Sequence, residues 1–247
     1  MTVVAIIPAR YASSRFPGKP LALIGGQPMI RLVYQLALKI PGLEAVYVAT
    51  DSQEIAQTVR AFGGQVLMTK SEHQTGTDRL GEAADLLALT DSDLVLNVQG
   101  DQPALNPNHP ALLVQALLSD PNLPMATLAV PLLDPAEAND PNHVKVVFNH
   151  QNLALYFSLA PIPWPRDGGP GSFYKHVGLY GYRVGFLRQY LKWPQGRLEV
   201  IENLEQLRAL ERGVPIKVLL AEGLSPEVDL PQDIAKVEAA LSGHGQK

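Results

Sequence analysis

The chain is expected to fold as a doubly wound α/β structure, a mostly parallel sheet with helices on both faces and a small β-rich insertion. Two observations carry that expectation. Short apolar runs recur at residues 3–7, 45–49, 65–68, 94–98 and 125–130, with amphipathic stretches between them, the alternation of parallel strands and crossover helices. A length of 247 residues with 46% hydrophobic content can bury a sizeable core, and no linker of domain-boundary length, repeat or low-complexity tract divides it, so one domain over 1–247 is expected.

Taken in order, Val3 to Ile7 form the first strand and Pro8 ends it. A helix is expected over about 29–39, a strand over 45–49, and a second helix over 53–62, started by Asp51, Ser52 and Glu54 and stopped by Gly63-Gly64. Strand 65–68, helix 78–89, strand 94–98, helix 110–118 and strand 125–130 continue the pattern. After Pro131 the texture changes. Runs at 144–149 and 153–158, parted by His150-Gln151-Asn152, suggest a hairpin; a proline-rich stretch over 161–170 follows, then an apolar strand over 177–182. Residues from about 132 to 195 therefore read as an insertion on the sheet. A helix over 198–212 leads to a final strand and helix.

Composition excludes several roles. The net charge is −4 with 18% charged residues, which provides neither a basic excess for nucleic acid nor an acidic tail. There is no cysteine, so disulfides and thiolate chemistry are excluded and a reducing compartment suits the chain. No basic n-region precedes a signal-length apolar run, and no stretch reaches the roughly 18 apolar residues that span a bilayer. A soluble, cytoplasmic protein without a membrane partner is expected.

The densest chemical signal is the loop after the first strand, where Arg10, Arg15 and Lys19 arrive at a spacing that no helix or strand face requires. Open α/β sheets bind ligands at the carboxyl ends of their strands, so this loop suits a polyphosphate. It lacks Gly-Lys-Ser/Thr and Gly-x-Gly-x-x-Gly, which leaves basic side chains to meet the phosphates. Three solvated loop cations would be the plain alternative, but Pro17-Gly18-Lys19-Pro20 fixes the backbone around Lys19 and lowers the entropy lost when its ammonium is held. Asp101 ends strand 94–98 at the same sheet edge, as a metal ligand or as a turn aspartate bonded to its own backbone. Asp229, in Pro226-Glu227-Val228-Asp229-Leu230-Pro231-Gln232-Asp233, reads by itself as a helix N-cap. Gln74-Thr75-Gly76-Thr77-Asp78-Arg79 leads into a helix and can hydrogen-bond a base or ribose; alternatively Thr77 caps that helix and Arg79 is exposed. His176 and Tyr180 are evenly spaced and share a strand face. On a helix begun near Leu198, Glu205 projects between Leu198 and Ile201, with Arg208 as its plain partner at i,i+3.

These segments resemble the signature of the CMP-Kdo synthetases, the cytidylyltransferases that activate 3-deoxy-manno-octulosonate (Kdo). The likeness runs from Ile6 to Leu21 and continues through Val48-Ala49-Thr50-Asp51, His73-Gln74-Thr75-Gly76-Thr77-Asp78-Arg79, Asn97-Val98-Gln99-Gly100-Asp101, Met125-Ala126-Thr127, Lys175-His176-Val177-Gly178-Leu179-Tyr180 and Leu204-Glu205-Gln206-Leu207-Arg208. Nearly the whole chain is covered in the family's order. The resemblance implies a nucleotide-diphospho-sugar transferase-like fold and transfer of CMP from CTP to the anomeric hydroxyl of Kdo for lipopolysaccharide biosynthesis. It implies catalytic roles for Arg10, Lys19 and Asp101, and nucleotide contacts from Pro8, Ala9, Arg10, Lys19, Gln74, Thr75, Gly76, Arg79 and Gln99. Arg15, His176, Tyr180, Glu205 and Gln206 would bind the sugar, Asp101 and Asp229 would hold Mg²⁺, and the protein would be a homodimer.

Two departures bear on the sugar. Gln102 follows Asp101 where many members carry Glu, and Leu159 follows Tyr156-Phe157-Ser158 where members often carry Arg. Losing that cation matters for an anionic substrate: either Arg15, His176 or another cation meets the Kdo carboxylate, or the preferred sugar differs, an 8-amino relative of Kdo being one alternative and sialate a further one. A catalytically silent nucleotide-binding protein on the same fold is the rival from another class.

Overall fold

The structure is a computed structural model that describes residues 1–12, 16–167, 171–223 and 225–243. In chain order, β1 (Val3–Pro8) is followed by the ribbon of β2 (Leu23–Ile24) and β3 (Gln27–Pro28), then α1 (Met29–Ala37), β4 (Ala45–Thr50), α2 (Gln53–Ala61), β5 (Gln65–Met68), α3 (Gly76–Leu86), β6 (Leu94–Asn97), α4 (Asn108–Ser119) and β7 (Met125–Pro131). The hairpin β8 (Lys145–Phe148) and β9 (Ala154–Ser158) comes next, then the long β10 (Tyr174–Arg183), α5 (Val184–Leu191), α6 (Arg197–Glu202), α7 (Leu207–Leu210), β11 (Ile216–Leu220) and α8 (Asp233–Gly243).

Among the described residues, nine strands form one sheet, seven of them in the order β11-β7-β10-β6-β1-β4-β5, with the β8–β9 hairpin attached to β10. Pairing is parallel except where β10 meets its neighbours and within the hairpin. Helices cover both faces, and β1 shows why its sequence is apolar without interruption. Val3, Ala5 and Ile7 pack on one side with Ile30, Val59 and Leu113, while Val4 and Ile6 pack on the other with Leu80, Leu187 and Leu207. This is the doubly wound architecture expected. Local chemistry sets the ends of α2: Ser52 Oγ accepts the Ile55 N–H at 3.3 Å, and Gly63 leaves the helix at φ 82°.

Three expectations need correction. The segment over 132–195 is not wholly peripheral, since β10 lies between β6 and β7 in the middle of the sheet and only the β8–β9 hairpin hangs from it. No helix spans 198–212: α6 stops at Asn203, whose φ of 54° is left-handed, a conformation that Asn tolerates better than most residues. Glu205 therefore sits in a turn ahead of α7, and the helical spacing used to place it does not apply. At the start of α3 the cap is Thr75, which accepts the Asp78 N–H while Asp78 accepts the Thr75 N–H; Thr77 is the second helical residue and Arg79 is buried.

Candidate active site

Because β1 and β6 are adjacent and parallel, their carboxyl ends open on one edge of the sheet. The loops that follow run nearly in contact, and a Cβ on Gly100 would lie 3.2 Å from the Pro8 carbonyl oxygen. The amino end of α3 closes in from a third side, where a Cβ on Gly76 would lie 3.5 Å from the Pro8 ring. Between them is a cavity of ≈ 240 Å³ lined by Pro8, Ala9, Arg10, Lys19, Thr75, Gly76, Arg79, Gln99 and Asp101. Of the residues expected to meet a nucleotide only Gln74 is elsewhere. It is exposed, and its amide donates to the Glu72 carbonyl at 3.2 Å. The Arg79 guanidinium bonds the Thr69 hydroxyl and lies 3.4 Å from the Asp51 carboxylate, so its head is fixed at the cavity wall. Sequence reasoning passed over His73, which also lines this cavity and whose Nε2 lies 2.5 Å from Glu82 Oε2. Partial burial works against ionisation of Glu82, but the Lys70 N–H and His73 hold its carboxyl below the ordinary value.

Lys19 joins the two candidate metal carboxylates. Gly18, at φ 70°, turns the chain into a short 3-10 segment, Lys19–Leu21, whose Pro20 is buried. The Lys19 ammonium donates to Asp101 Oδ2 at 2.9 Å and to the Val228 carbonyl at 2.8 Å, and lies 3.7 Å from Asp229 Oδ1. A backbone bond from Val228 N–H to the Asp101 carbonyl, 2.9 Å, ties the two carboxylate-bearing segments together. Asp229 is not the cap of the last helix: Asp233 accepts the N–H groups of Asp229 and Leu230, at 3.1 and 2.9 Å. Two hard carboxylates converging on one cation fit Mg²⁺, which takes its other oxygens from phosphates and water. Among the described residues no group of three acidic, His or Cys side chains gathers to hold a metal ion by itself.

A second cavity, ≈ 400 Å³, adjoins the first and shares Gly76, Gln99 and Asp101 with it. His176, Tyr180, Glu205 and Gln206, the expected sugar residues, all line it; Arg15 lies outside the described residues. Between Val177 and Tyr180 β10 slips in register against β7, and the freed Gly178 carbonyl accepts the Gln99 amide at 2.8 Å. The rings of His176 and Tyr180 are 5.3 Å apart. Thr127 Oγ1 lies 2.9 Å from His176 Nε2 and 2.8 Å from the Leu179 carbonyl. Its single proton goes to the carbonyl, which leaves the imidazole as donor at Nε2 and acceptor at Nδ1. Burial, with a smaller effect of Lys175, lowers the His176 pKa to about 3, so the ring is neutral.

Glu205 meets Thr77 rather than its expected partner: the Thr77 hydroxyl donates to Glu205 Oε2 at 2.8 Å, while Arg208 binds Glu199, Nε to Oε2 at 2.8 Å. Burial raises the Glu205 pKa, opposed by the Thr77 bond and Arg208. Gln102 donates to Glu227 Oε1 at 2.7 Å, a pair 125 residues apart that no local pattern signals. Four buried polar atoms of this cavity, Asn97 Oδ1, Gln102 Oε1, the Tyr180 hydroxyl and Gln206 Nε2, have no hydrogen-bond partner among the described residues. Buried polar groups are rarely left so, and such a set suits a ligand rich in hydroxyl groups.

Known proteins resemble this chain in sequence and in fold. The cytidylyltransferase family model matches residues 4–218. The chain is 50% identical over 247 residues to the 8-amino-3,8-dideoxy-manno-octulosonate cytidylyltransferase of Shewanella pealeana, covering 98% of this chain and 99% of that one. It is 50% identical over 242 residues to the 3-deoxy-manno-octulosonate cytidylyltransferase of Desulfatibacillum aliphaticivorans, with the same coverage of 98% and 99%. A solved structure of CMP:2-keto-3-deoxy-manno-octonic acid synthetase complexed with CTP superposes with a TM-score of 0.94 at 43% identity, over 99% of this chain and 100% of that one. On sequence and on fold alike, the chain belongs to the cytidylyltransferase family, alongside proteins named for Kdo and for its 8-amino relative.

Proposed function

We propose that the protein transfers CMP from CTP to the anomeric hydroxyl of Kdo, releasing CMP-Kdo and pyrophosphate for lipopolysaccharide biosynthesis. The observation that carries this reading is the position of Asp101, on the seam between a cavity that presents Arg10 and Lys19 and a cavity walled by unbonded polar groups. CTP occupies the first, the sugar the second, and the hydroxyl attacks the α-phosphorus in line across the seam. Arg10 and Lys19 offset charge that develops on the departing pyrophosphate. Asp101 and Asp229 hold Mg²⁺, which when bound adds positive charge beside the triphosphate and polarises the α-phosphate. His176 accepts a sugar hydroxyl at Nδ1, and Gln206 and Tyr180 complete their hydrogen bonds on the same ligand. The homologue solved with CTP supports the nucleotide assignment.

A second reading, with 8-amino-Kdo as the preferred sugar, is favoured by particular features. Leu159 brings no charge to the sugar side, its backbone being engaged by Glu202 Oε2 at 3.1 Å and by Lys145 Nζ at 2.6 Å. The carboxylates of Glu205 and Glu227 face the cavity where an ammonium could be met. The Shewanella relative carries the 8-amino name. Pyrophosphate release from each of the four nucleoside triphosphates, with Kdo, 8-amino-Kdo and sialate as acceptors, tests both readings. Release with CTP and one of the octulosonates is expected; release with sialate alone, or none with any pair, overturns the proposal. Assembly as a homodimer belongs to the same reading, and the exposed Leu155, Trp164, Val200 and Ile201 provide apolar surface for it. No helix of the described residues is long and apolar enough to cross a membrane.

A further inference from the structure

We infer that Lys175 receives the carboxylate of the acid sugar and thereby selects a substrate charged at its reacting end, an inference that rests on the functional reading above. The larger cavity is lined by three acidic side chains, Asp101, Glu205 and Glu227. Among its described lining residues Lys175 alone carries a fixed positive charge. His176 does not compete for that role, because its buried ring is neutral and its Nε2 is engaged by Thr127. Nor do the neighbouring cations among the described residues, which do not include Arg15. Lys145 stands opposite Lys175 across the β8–β10 pairing but is fully buried, its ammonium bonded to the carbonyls of Asp140, His143 and Leu159 at 3.1, 2.6 and 2.6 Å. Arg10 and Lys19 line the other cavity. The Lys175 ammonium makes no hydrogen bond and no ion pair within 4 Å among the described residues.

Its position along the cavity matches the substrate's chemistry. A 2-keto acid sugar carries its carboxylate on the anomeric carbon, one bond from the hydroxyl that attacks phosphorus, so the carboxylate must lie close to Asp101. Lys175 lines the cavity together with Asp101 and with Glu227, which is bonded to Gln102, the residue after Asp101. A carboxylate brought there meets Asp101 as a like charge, so a cation on the same cavity wall is what makes the approach favourable. The strand explains why a lysine can do this. β10 is antiparallel to β6 and β7, and its amino-terminal half runs on along β7 past the carboxyl end of β6, whose last pair is Asn97 with Tyr180, so Lys175 stands beyond that edge.

The test compares the acid sugar with its C1 carboxamide, which keeps the shape and the hydroxyls but not the charge, as acceptors for wild type, Lys175→Met and Lys175→Arg. Lys175→Met is expected to lower kcat/KM for the acid by about ten- to a hundredfold, as for one charge-assisted bond, with little change for the carboxamide. Lys175→Arg should recover most of the loss, and KM for CTP should stay as in wild type. An acid-to-carboxamide ratio unchanged in Lys175→Met overturns the inference. So does an equal loss on both substrates that Glu227→Gln relieves, since Lys175 would then serve only as the counter-charge of Glu227. If wild type releases no pyrophosphate with any acceptor, the functional reading fails instead. Calorimetric titration of the acid and the carboxamide into wild type and Lys175→Met then still decides on the cation: preferential acid binding lost in the variant upholds it, and no difference removes it.

Discussion

At the scale of single residues, Lys19 is the point where the site's charges meet, since its ammonium touches Asp101 and stands 3.7 Å from Asp229. If that charge acts on the leaving pyrophosphate, Lys19→Ala should lower turnover about a hundredfold and alter KM for CTP far less. Steady-state kinetics over CTP checks this, and a raised KM at unchanged turnover reassigns Lys19 to ground-state binding. The capping geometry separates two neighbouring aspartates. Asp229→Asn should depress turnover, shift the Mg²⁺ dependence and leave melting nearly unchanged, whereas Asp233→Ala should lose about 1 kcal/mol of stability with activity retained. His176 adds a pH dependence of stability. Its pKa falls from 6.5 in the unfolded chain to about 3 in the fold, so unfolding takes up a proton in between. Its contribution is complete above pH 6.5 and is lost as pH falls toward 3. His176→Gln should therefore flatten the melting temperature against pH over that window, as read by calorimetry. Residues at strand ends, such as Arg10 and Asp101, were legible because open sheets bind ligands there. Lys175 and the Gln102–Glu227 pair were not, because each acquires its meaning from contacts far away in sequence.

Secondary-structure elements that bury a face announced themselves, and those that answer to one backbone choice did not. The parallel strands and α1 to α4 follow the apolar periodicity to within a few residues. The expected helix over 198–212 failed at Asn203, because a single left-handed residue costs little for Asn and redirects the chain. That break is also what carries Glu205 to Thr77. The β8–β9 hairpin depends on a buried charge. Lys145 satisfies three carbonyls, while Glu202 accepts from Ser158 Oγ at 2.7 Å and from the Leu159 N–H at 3.1 Å. Burial lowers the Lys145 pKa, and Asp140 and Glu202 oppose it. Lys145→Met should leave the carbonyls unpartnered and destabilise the protein by at least about 2 kcal/mol. Because Asn142 lines the larger cavity, KM for the sugar should rise while KM for CTP does not. Denaturant titration and kinetics on each substrate are the checks, and equal changes in both KM values count against this coupling.

For the molecule as a whole, the governing feature is one reversed strand in an otherwise parallel central order. At Gly181 the carboxyl-terminal part of β10 passes so close to α4 that an added Cβ would lie 2.7 Å from Leu117 Cδ1 and 3.4 Å from Leu113 Cβ. Gly181→Val should overpack this layer and lower stability by about 2 kcal/mol, seen as a reduced melting temperature with unchanged KM values at low temperature. A melting temperature equal to wild type would show that the layer yields. β10 was legible as a strand but not in its direction or place, since an apolar run says nothing of which neighbours it will join. That reversal divides the labour between stretches of chain. The floor of the nucleotide cavity comes from the first hundred or so residues, at the ends of β1 and β6 and the start of α3, whereas β10 and the turn before α7 furnish nine of the twenty residues of the sugar wall. In terms of descent, the acceptor preference can drift or be exchanged as a cassette while the triphosphate machinery is inherited intact. A chimera carrying residues 132–206 of a homologue should accordingly take that homologue's sugar and keep this chain's dependence on CTP.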